Sequence, residues 1–235
     1  MTRLGLVTGL GLECRLAERA APALFRQNQI SAIPVAGRAE AARDAVARFA
    51  EDGAEIIVSF GFAGGLALDL PAGCLLLPKT LRCAGREDIS VDQKAEMAEG
   101  AVGLLVGATP LSRGTLLTVE TPLATVEDKR AAHDRFDAVA VDMESYWVAG
   151  ACRRAGGLGF LALRAVSDPA ERALPASAAR AMGPDGDLQI GRLLGGLLSR
   201  PGDLPDLVRL GLDSRKASAA LGRAAALLLP LLSRR

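Results

Sequence analysis

Short apolar runs alternate with amphipathic stretches along most of the chain. The runs with the length and composition of buried strands occupy residues 4–8, 31–35, 55–60, 68–80, 115–119, 139–141 and 160–166. Between them, residues 39–51 follow the period of an amphipathic helix, and residues 92–100 form a shorter helical pattern. Alternating strands and helices are typical of a mainly parallel sheet covered on both faces. We therefore predict an α/β fold, in which a single domain has a mainly parallel, mixed and twisted sheet flanked by helices.

Carboxylates follow two of the predicted strands, within residues 138–171. Asp142 and Glu144 come after the strand at 139–141, and Asp168 comes after the strand at 160–166. Ligands of open parallel sheets bind beyond the carboxyl ends of the strands, so Glu144 and Asp168 are candidates for a small-molecule site. Simpler interpretations stay open, because Asp142 could cap the following helix and Met143 could be an ordinary core residue.

Two further features allow either a structural or a functional interpretation. Residues 61–66 read GFAGGL, which is either a plain turn or a loop that lets the backbone approach a ligand. Glu13 opens a helical pattern over residues 13–25, where an acid favours the positive end of the helix dipole. The alternative for Glu13 is an acid that points into a pocket at the end of the first strand.

Charge and residue counts narrow the function classes. The net charge of +1 does not favour a nucleic-acid partner. The cysteines form no CxxC pair, and the only histidine, His133, lies in a polar pattern that predicts the surface. One such histidine disfavours a Ser-His-Asp triad or a histidine metal centre, so carboxylates are the expected acid–base groups, with no metal. The opening residues lack the pattern of a secretory signal, and no run reaches the roughly 20 apolar residues of a membrane span, so we expect a cytoplasmic protein.

The composition changes after residue 187. We predict that residues 1–187 form the α/β domain and that residues 188–235 are a helical extension of it, rich in Leu and Arg. The extension carries eight basic and three acidic residues, a net charge of +5. It could pack on the sheet or on a second subunit, or it could lie on anionic lipid as a basic amphipathic surface.

Three pieces of the sequence, LGLVTGLGLE, VSFGFAGGL and AVAVDMESYWVAGACRRAGGLGFLALRAVSD, together resemble the purine nucleoside phosphorylase/nucleosidase superfamily. The most specific part is DMES followed downstream by LRAVSD. The chain is similar to methylthioadenosine/S-adenosylhomocysteine nucleosidases. The pieces DMESYWVA and LRAVSDPAER and the tail RPGDLPDLVRL resemble the hopanoid-associated phosphorylase branch more closely. The resemblance implies a phosphorylase/hydrolase-like fold.

The resemblance also implies roles for individual residues. Asp168 would be the general acid that protonates the purine at N7, held neutral by burial, and Ser167 would help to position either that aspartate or the base. Glu144 would accept hydrogen bonds from the ribose hydroxyls, and Met143 would pack on the sugar.

The remaining site residues lie at the sugar and nucleophile end. Glu13 would orient the attacking water, and Arg164 matches the family arginine before the catalytic turn. The residues expected to line this end are Phe62, Ala63 and Gly64. Phe62 departs from the small residue that the nucleosidases usually carry, which could shape the site for a bulkier ligand. No counterpart of the phosphate-binding arginines of the phosphorylases is found in the sequence.

The implied activity is cleavage of the N-glycosidic bond of a 5′-modified adenosine, with release of adenine and no metal or organic cofactor. Adenosylhopane is the expected substrate, giving ribosylhopane or its 1-phosphate. The alternatives are a methylthioadenosine/S-adenosylhomocysteine nucleosidase and a non-catalytic nucleoside- or lipid-binding protein. Inorganic phosphate stays open as a co-substrate in place of water. The resemblance also implies a homo-oligomer, and peripheral membrane contact through the basic extension is a further expectation.

Overall fold

The computed structural model of the protein describes residues 1–91, 109–174 and 204–234. The strands are β1 (Leu4–Thr8), β2 (Ile30–Pro34), β3 (Ile56–Gly65), β4 (Leu75–Leu76), β5 (Thr80–Arg82), β6 (Ile89–Ser90), β7 (Leu111–Ser112), β8 (Leu116–Thr118), β9 (Ala140–Asp142) and β10 (Gly159–Asp168). The helices are α1 (Gly11–Ala20), α2 (Pro22–Arg26), α3 (Ala39–Glu51), α4 (Val126–Phe136), α5 (Ser145–Ala155) and α6 (Leu204–Ser233). The helix predicted at residues 92–100 lies outside the described residues.

The strands form one mixed sheet in the order β6-β5-β8-β9-β3-β10-β4-β7, with β1 and β2 branching from β3. Most described pairs are parallel, and the antiparallel pairs are β3–β9, β4–β10 and β5–β6. The predicted α/β fold, with a single mixed sheet flanked by helices, is confirmed. The boundary predicted at residue 187 lies outside the described residues and stays a prediction.

Strand β3 is the centre of the sheet and has an unusual set of neighbours. One edge of β3 pairs with β10 along almost its whole length. The other edge is divided, because β1 pairs in parallel with Ile56 to Ser59 and β9 pairs antiparallel with Gly64 and Gly65. The carboxyl ends of β1 and β9 therefore approach each other head-on beside residues 60–63. The prediction that the glycine-rich GFAGGL segment is a loop was wrong, since its first five residues continue β3.

Helices cover both faces of the sheet, and the side chains of β1 alternate between the two layers as a strand period of two requires. Val7 packs in the layer that contains α3 and α5, with Phe49 and Trp147 as its large members. Leu4 and Leu6 pack in the other layer, against α1 and α6. The site lies between these layers, where β1 and β9 end.

Helix α6 buries one face against α1 and β10. Its buried residues recur at helical spacing, as in Ala217, Ala220, Leu221, Ala224 and Leu228. By length and hydropathy alone α6 is a candidate membrane span, although no span was predicted from the sequence. Half of its most apolar window, however, is buried inside the protein. That burial is typical of a core helix and agrees with the packing interpretation of the extension.

Two predicted elements are divided in the structure. The helical pattern of residues 13–25 is interrupted at Ala21, and α2 begins at Pro22, which suits the first position of a helix because it lacks an N–H. The apolar run at 68–80 gives β4 and the start of β5, separated by an irregular stretch. An apolar run predicts burial more reliably than it predicts a continuous ladder of hydrogen bonds.

Candidate active site

Glu13 and Glu144 meet because β1 and β9 end at the same place. After β1 the chain turns at Gly9 into α1, whose third residue is Glu13, and after β9 it reaches Glu144 at the start of α5. Gly9 separates the two acids: a Cβ added there would lie 2.7 Å from Glu144 Oε1 and 3.5 Å from Glu13 Oε2. Only glycine leaves both carboxylates in these positions.

The carboxyl group of Glu13 bridges three segments of the chain. Its Oε2 accepts hydrogen bonds from the N–H groups of Gly9 (2.7 Å) and Leu10 (2.8 Å), and its Oε1 accepts one from Phe62 (2.7 Å). Burial raises the pKa of Glu13, and the charge of Arg164 and these N–H groups oppose the shift. Both interpretations of Glu13 are therefore partly correct. Its carboxyl group accepts hydrogen bonds from backbone N–H groups at the start of α1, and it also contacts Phe62, a residue expected to line the ligand site.

Arg164 is completely buried in the middle of β10. Its Nη2 forms ion pairs with Asp142 Oδ2 at 2.8 Å and Glu144 Oε2 at 3.3 Å. The same guanidinium donates to the hydroxyls of Ser59 (2.8 Å) and Ser145 (3.1 Å). Burying a guanidinium is costly unless its charge and its N–H groups are matched, and this network matches them.

Asp142, Glu144 and Glu13 surround this single guanidinium, so carboxyl groups outnumber cations in the cluster. Burial raises the pKa of Glu144 to about 8; the charge of Arg164 opposes this shift, and Asp142 and Glu13 add to it. The raised pKa brings the protonated form of Glu144 within reach near neutral pH. A protonated carboxyl can donate one hydrogen bond and accept others, which suits a partner with two adjacent hydroxyls.

Asp168 lies at the end of β10 in a different environment. Its Oδ1 accepts a hydrogen bond from the Ser167 hydroxyl at 2.7 Å, and its Oδ2 forms an ion pair with Lys129 Nζ at 2.6 Å. Lys129 comes from α4 and is 1% exposed. Both carboxyl oxygens of Asp168 thus act as acceptors, which differs from the neutral, isolated acid expected from the sequence.

Two glycines of β3 mark the two halves of the site. A Cβ on Gly61 would overlap Glu13 and Arg164, and a Cβ on Gly64 would lie 3.2 Å from Asp168 Oδ2. The two glycines are three residue steps apart along the strand, a backbone distance of about 10 Å. That is the scale of a nucleoside, whose base and sugar need different groups at opposite ends.

The other predicted site residues lie along the same segment. Phe62 contacts the cluster through its backbone, with its N–H on Glu13 and its carbonyl 3.5 Å from Arg164 Nη1. The carbonyl of Ala63 accepts a 3.4 Å hydrogen bond from Ser167 Oγ. Met143 is half-buried and faces Gly37. The structure therefore brings the predicted residues together around residues 61–64 of β3, from the strands on both of its edges, with Met143 at the periphery.

Sequence reasoning missed several residues of this arrangement. They are Lys129, Ser59, Ser145 and Thr118. The hydroxyl of Thr118 donates a hydrogen bond to Asp142 at 2.6 Å. Asp142 was predicted only as a cap; it does accept from the N–H of Ser145, but it is also the shorter ion-pair partner of Arg164. The DMES motif could have pointed to Ser145. Lys129 gave no signal, because it lies in a polar helix whose pattern predicts solvent exposure.

No group of three or more His, Cys, Asp or Glu side chains within the described ranges is arranged to hold a metal ion. His133 is half-buried, not fully on the surface, and its Nδ1 lies 2.8 Å from the carbonyl of Ala138. The absence of a cofactor requirement stays a prediction.

Comparison with known structures gives the same fold. The chain is similar to the methylthioadenosine/S-adenosylhomocysteine nucleosidase of Helicobacter pylori in complex with a pyrrolopyrimidine compound, with a TM-score of 0.66, 15% identity, and coverage of 98% of this chain and 97% of the other. The futalosine hydrolase of Helicobacter pylori has a TM-score of 0.66 at 14% identity, with the same coverage. The methylthioadenosine/S-adenosylhomocysteine nucleosidase of Neisseria meningitidis has a TM-score of 0.65 at 15% identity, and covers 97% and 99%.

No curated protein matches the chain by sequence. The profile of the Phosphorylase superfamily matches residues 30–185, more than half of the chain. This match includes β3, β9 and β10, the strands that carry most of the site. The predicted resemblance to the superfamily is confirmed, as is the prediction of an enzyme of the nucleoside phosphorylase and nucleosidase group, whereas the closer resemblance to the hopanoid-associated branch stays a prediction. The chain belongs to the phosphorylase superfamily.

Proposed function

We propose that this protein hydrolyses the N-glycosidic bond of a 5′-modified adenosine and releases adenine. The observation that carries the proposal is that two different carboxyl environments lie along β3. Beside Gly64, Asp168 has a cationic partner. Beside Gly61, Glu13 and Glu144 lie around Arg164. A bond that breaks through an oxocarbenium-like state needs an acid on the leaving base and negative charge near the sugar. The two halves supply these groups beside glycines that are about 10 Å apart along β3.

The sugar lies at the Gly61 end in this proposal. Glu144 binds the two ribose hydroxyls, and Met143 packs against the ring. The carboxyl oxygens of the cluster face the sugar and stabilise its cationic form as the bond lengthens. Arg164 touches no substrate and instead keeps Asp142 and Glu144 in place, since its guanidinium is used by protein groups.

The base lies at the Gly64 end. Asp168 delivers a proton to N7 of the purine as electrons move onto the ring, and Ser167 fixes the carboxyl group at 2.7 Å. General acid assistance of this kind contributes roughly 10²–10⁴-fold to the rate.

Water is the better nucleophile for this site. A carboxylate offers about four acceptor positions. Three of those on Glu13 accept backbone N–H groups, which leaves one on Oε1 for a single water. Phosphate would bring negative charge beside several carboxylates, and the one guanidinium of the cluster is already paired. A rate that is independent of added inorganic phosphate supports hydrolysis, whereas a rate that requires phosphate contradicts it.

Adenosylhopane is the proposed substrate. Its 5′ substituent is a large hydrocarbon, and burial of each CH₂ group contributes about 0.8 kcal/mol. Two apolar residues of the segments that carry the sugar end have exposed surface: Leu12, next to Glu13, is 42% exposed, and Phe62 is partly exposed. Release of adenine from adenosylhopane by the purified protein, measured by chromatography, tests the proposal. Failure to release adenine from any 5′-substituted adenosine contradicts it.

The second candidate is a methylthioadenosine/S-adenosylhomocysteine nucleosidase. It is favoured by the similarity to two solved nucleosidases of that kind. The two candidates share their chemistry and differ in the 5′ pocket. The ratio of kcat/KM for adenosylhopane and methylthioadenosine therefore decides between them: a higher value for methylthioadenosine supports the second candidate.

A non-catalytic nucleoside- or lipid-binding protein is the alternative from another class. Asp168→Asn separates it from an enzyme. An enzyme loses roughly 10²–10⁴-fold in turnover while its melting temperature stays similar. A binding protein has no turnover to lose, and its affinity for adenosine nucleosides changes little.

We also propose that the protein is a cytoplasmic homo-oligomer that contacts membranes through α6. The outward face of this helix combines exposed apolar residues with basic ones: Leu204, Val208, Leu212, Arg209, Arg215 and Lys216. Such a face suits an anionic lipid surface, where a water-insoluble substrate would be found. Co-sedimentation with vesicles containing phosphatidylglycerol but not with phosphatidylcholine vesicles supports the contact. Analytical ultracentrifugation tests the oligomer.

A further inference from the structure

Lys129 has more acceptors than a structural lysine requires. Its Nζ lies 2.6 Å from Asp168 Oδ2, and within 3.2 Å of the carbonyls of Asp168, Pro169 and Arg172. An ammonium has three N–H donors, so four acceptors exceed its capacity and one contact can be exchanged without leaving a donor unpaired. The side chain is 1% exposed although it starts from a mostly polar helix.

Burial of a lysine is expensive, and fully buried lysines are rare unless they are paired. The three carbonyl contacts alone would explain a clamp on the turn after β10. The shortest contact, however, is to the Asp168 carboxylate. The clamp and the contact with the carboxylate therefore both hold the lysine inward, and the contact with Asp168 places its ammonium where a proton can pass to the carboxyl group.

The hydrogen bonds of Asp168 leave open where its catalytic proton comes from. Its Oδ1 accepts from the Ser167 hydroxyl and its Oδ2 accepts from Lys129, so these two side chains are the proton donors that contact the carboxyl group. A serine hydroxyl that gave up its proton would leave an alkoxide. An ammonium that gives up its proton leaves a neutral amine, which is the easier species to form in a buried site.

We propose that Lys129 supplies the proton that Asp168 passes to the leaving base; this inference rests on the proposed function. The ammonium of Lys129 transfers a proton to the Asp168 carboxylate and becomes a neutral amine. As the C1′–N9 bond breaks, its electron pair moves onto the purine, and N7 takes this proton from the carboxyl group of Asp168, which returns to a carboxylate. Water adds to C1′ and releases its own proton to solvent. After adenine leaves, a solvent proton restores the ammonium, so one water is consumed and no net charge is produced.

The experiment compares two leaving groups. One substrate is methylthioadenosine or adenosylhopane, whichever the wild-type protein cleaves faster, and the other is the matching 5-substituted p-nitrophenyl riboside. Nitrophenolate leaves without protonation, so it does not need the proton from Lys129. We expect Lys129→Met to lower kcat by roughly 10²–10⁴-fold on the adenosine substrate and by less than about tenfold on the nitrophenyl riboside.

A second variant covers the case in which methionine at this position disturbs folding. Lys129→Arg keeps the positive charge next to Asp168, but a guanidinium does not release a proton in a protein. We expect Lys129→Arg to melt near the wild-type temperature and to show the same selective loss on the adenosine substrate. Arg130→Met is the matched control, because Arg130 is exposed on the same helix.

Equal losses on both substrates overturn the inference and make Lys129 a structural clamp. Full activity of Lys129→Arg also overturns it, since charge and position would then be sufficient. If the wild-type protein cleaves neither substrate, the proposed function fails and the inference fails with it. These outcomes are distinguishable, because the first two require an active wild-type enzyme.

Discussion

The backbone N–H of Phe62 lies 2.7 Å from Oε1 of Glu13, and this hydrogen bond joins the middle of β3 to the first helix. This hydrogen bond is possible because the pairing of β1 with β3 ends at Ser59 and the pairing of β9 with β3 begins only at Gly64. The N–H groups in that interval lack a strand partner on this edge, and a carboxylate takes one of them. The glycine-rich segment is therefore a strand whose free edge binds a site residue.

Gly61→Ala tests whether this interval tolerates a side chain. The added Cβ would overlap the carboxyl of Glu13 and the guanidinium of Arg164, both of which are buried and fixed by hydrogen bonds. We expect turnover to fall by at least about tenfold and the free energy of unfolding to fall by about 1–3 kcal/mol. Steady-state kinetics and urea unfolding measure the two effects. Gly211→Ala is the control, because that glycine lies in α6 with open space around it and alanine favours the helix.

Arg164→Met tests the charge cluster. Removal of the guanidinium leaves Asp142 and Glu144 buried beside each other without a cation. We expect a loss of about 3–5 kcal/mol in the free energy of unfolding, as for other broken buried ion pairs. Arg48→Met, at an exposed position of α3, should change the same quantity by no more than about 0.5 kcal/mol. Equal effects of the two substitutions contradict the ion-pair assignment.

Glu144→Gln tests the raised pKa of Glu144 through the pH dependence of stability. Glu144 ionises near pH 4.5 when unfolded and near pH 8 when folded, so between these values the folded state binds more protons. Stability contributed by this group is complete below about pH 4.5 and is lost as the pH rises towards 8. The unfolding free energy of the wild type should therefore fall relative to that of Glu144→Gln, by at most about 1.4 kcal/mol per pH unit in this window.

The control for this measurement is Glu51→Gln, which removes an exposed carboxylate at the end of α3. Its unfolding free energy should follow the wild-type curve across the same pH range. A constant difference between the wild type and Glu144→Gln from pH 5 to 8 would show that Glu144 is ionised throughout.

Ser167→Ala tests the positioning of Asp168. The lost hydrogen bond is to a charged group, and such bonds contribute about 1.5–3 kcal/mol. If the bond acts in the transition state, kcat should fall by roughly 10–100-fold with little change in KM. Ser90→Ala, at an exposed position, is the control. A rise in KM with unchanged kcat would instead assign Ser167 to substrate binding.

The pattern of apolar runs predicted the fold because it records which segments must be buried. Helix α3 was predicted with its observed bounds, and β1 likewise, since both have a clear period and clear ends. Asp168, Glu144 and Glu13 were identified as candidates because strand ends and family motifs mark them. These features are local, and local sequence is sufficient to determine them.

Only the tertiary structure decided how those residues are partnered. The division of one β3 edge between β1 and β9 brings Glu13 beside Glu144, and these residues are far apart in the chain. The same folding turns Lys129 inward onto Asp168, although its own helix is mostly polar. The charge state of a buried carboxyl depends on groups that reach it from other strands and helices. A one-dimensional pattern records which residues are apolar and which are charged, but the distances between their side chains are set by the packing of the sheet.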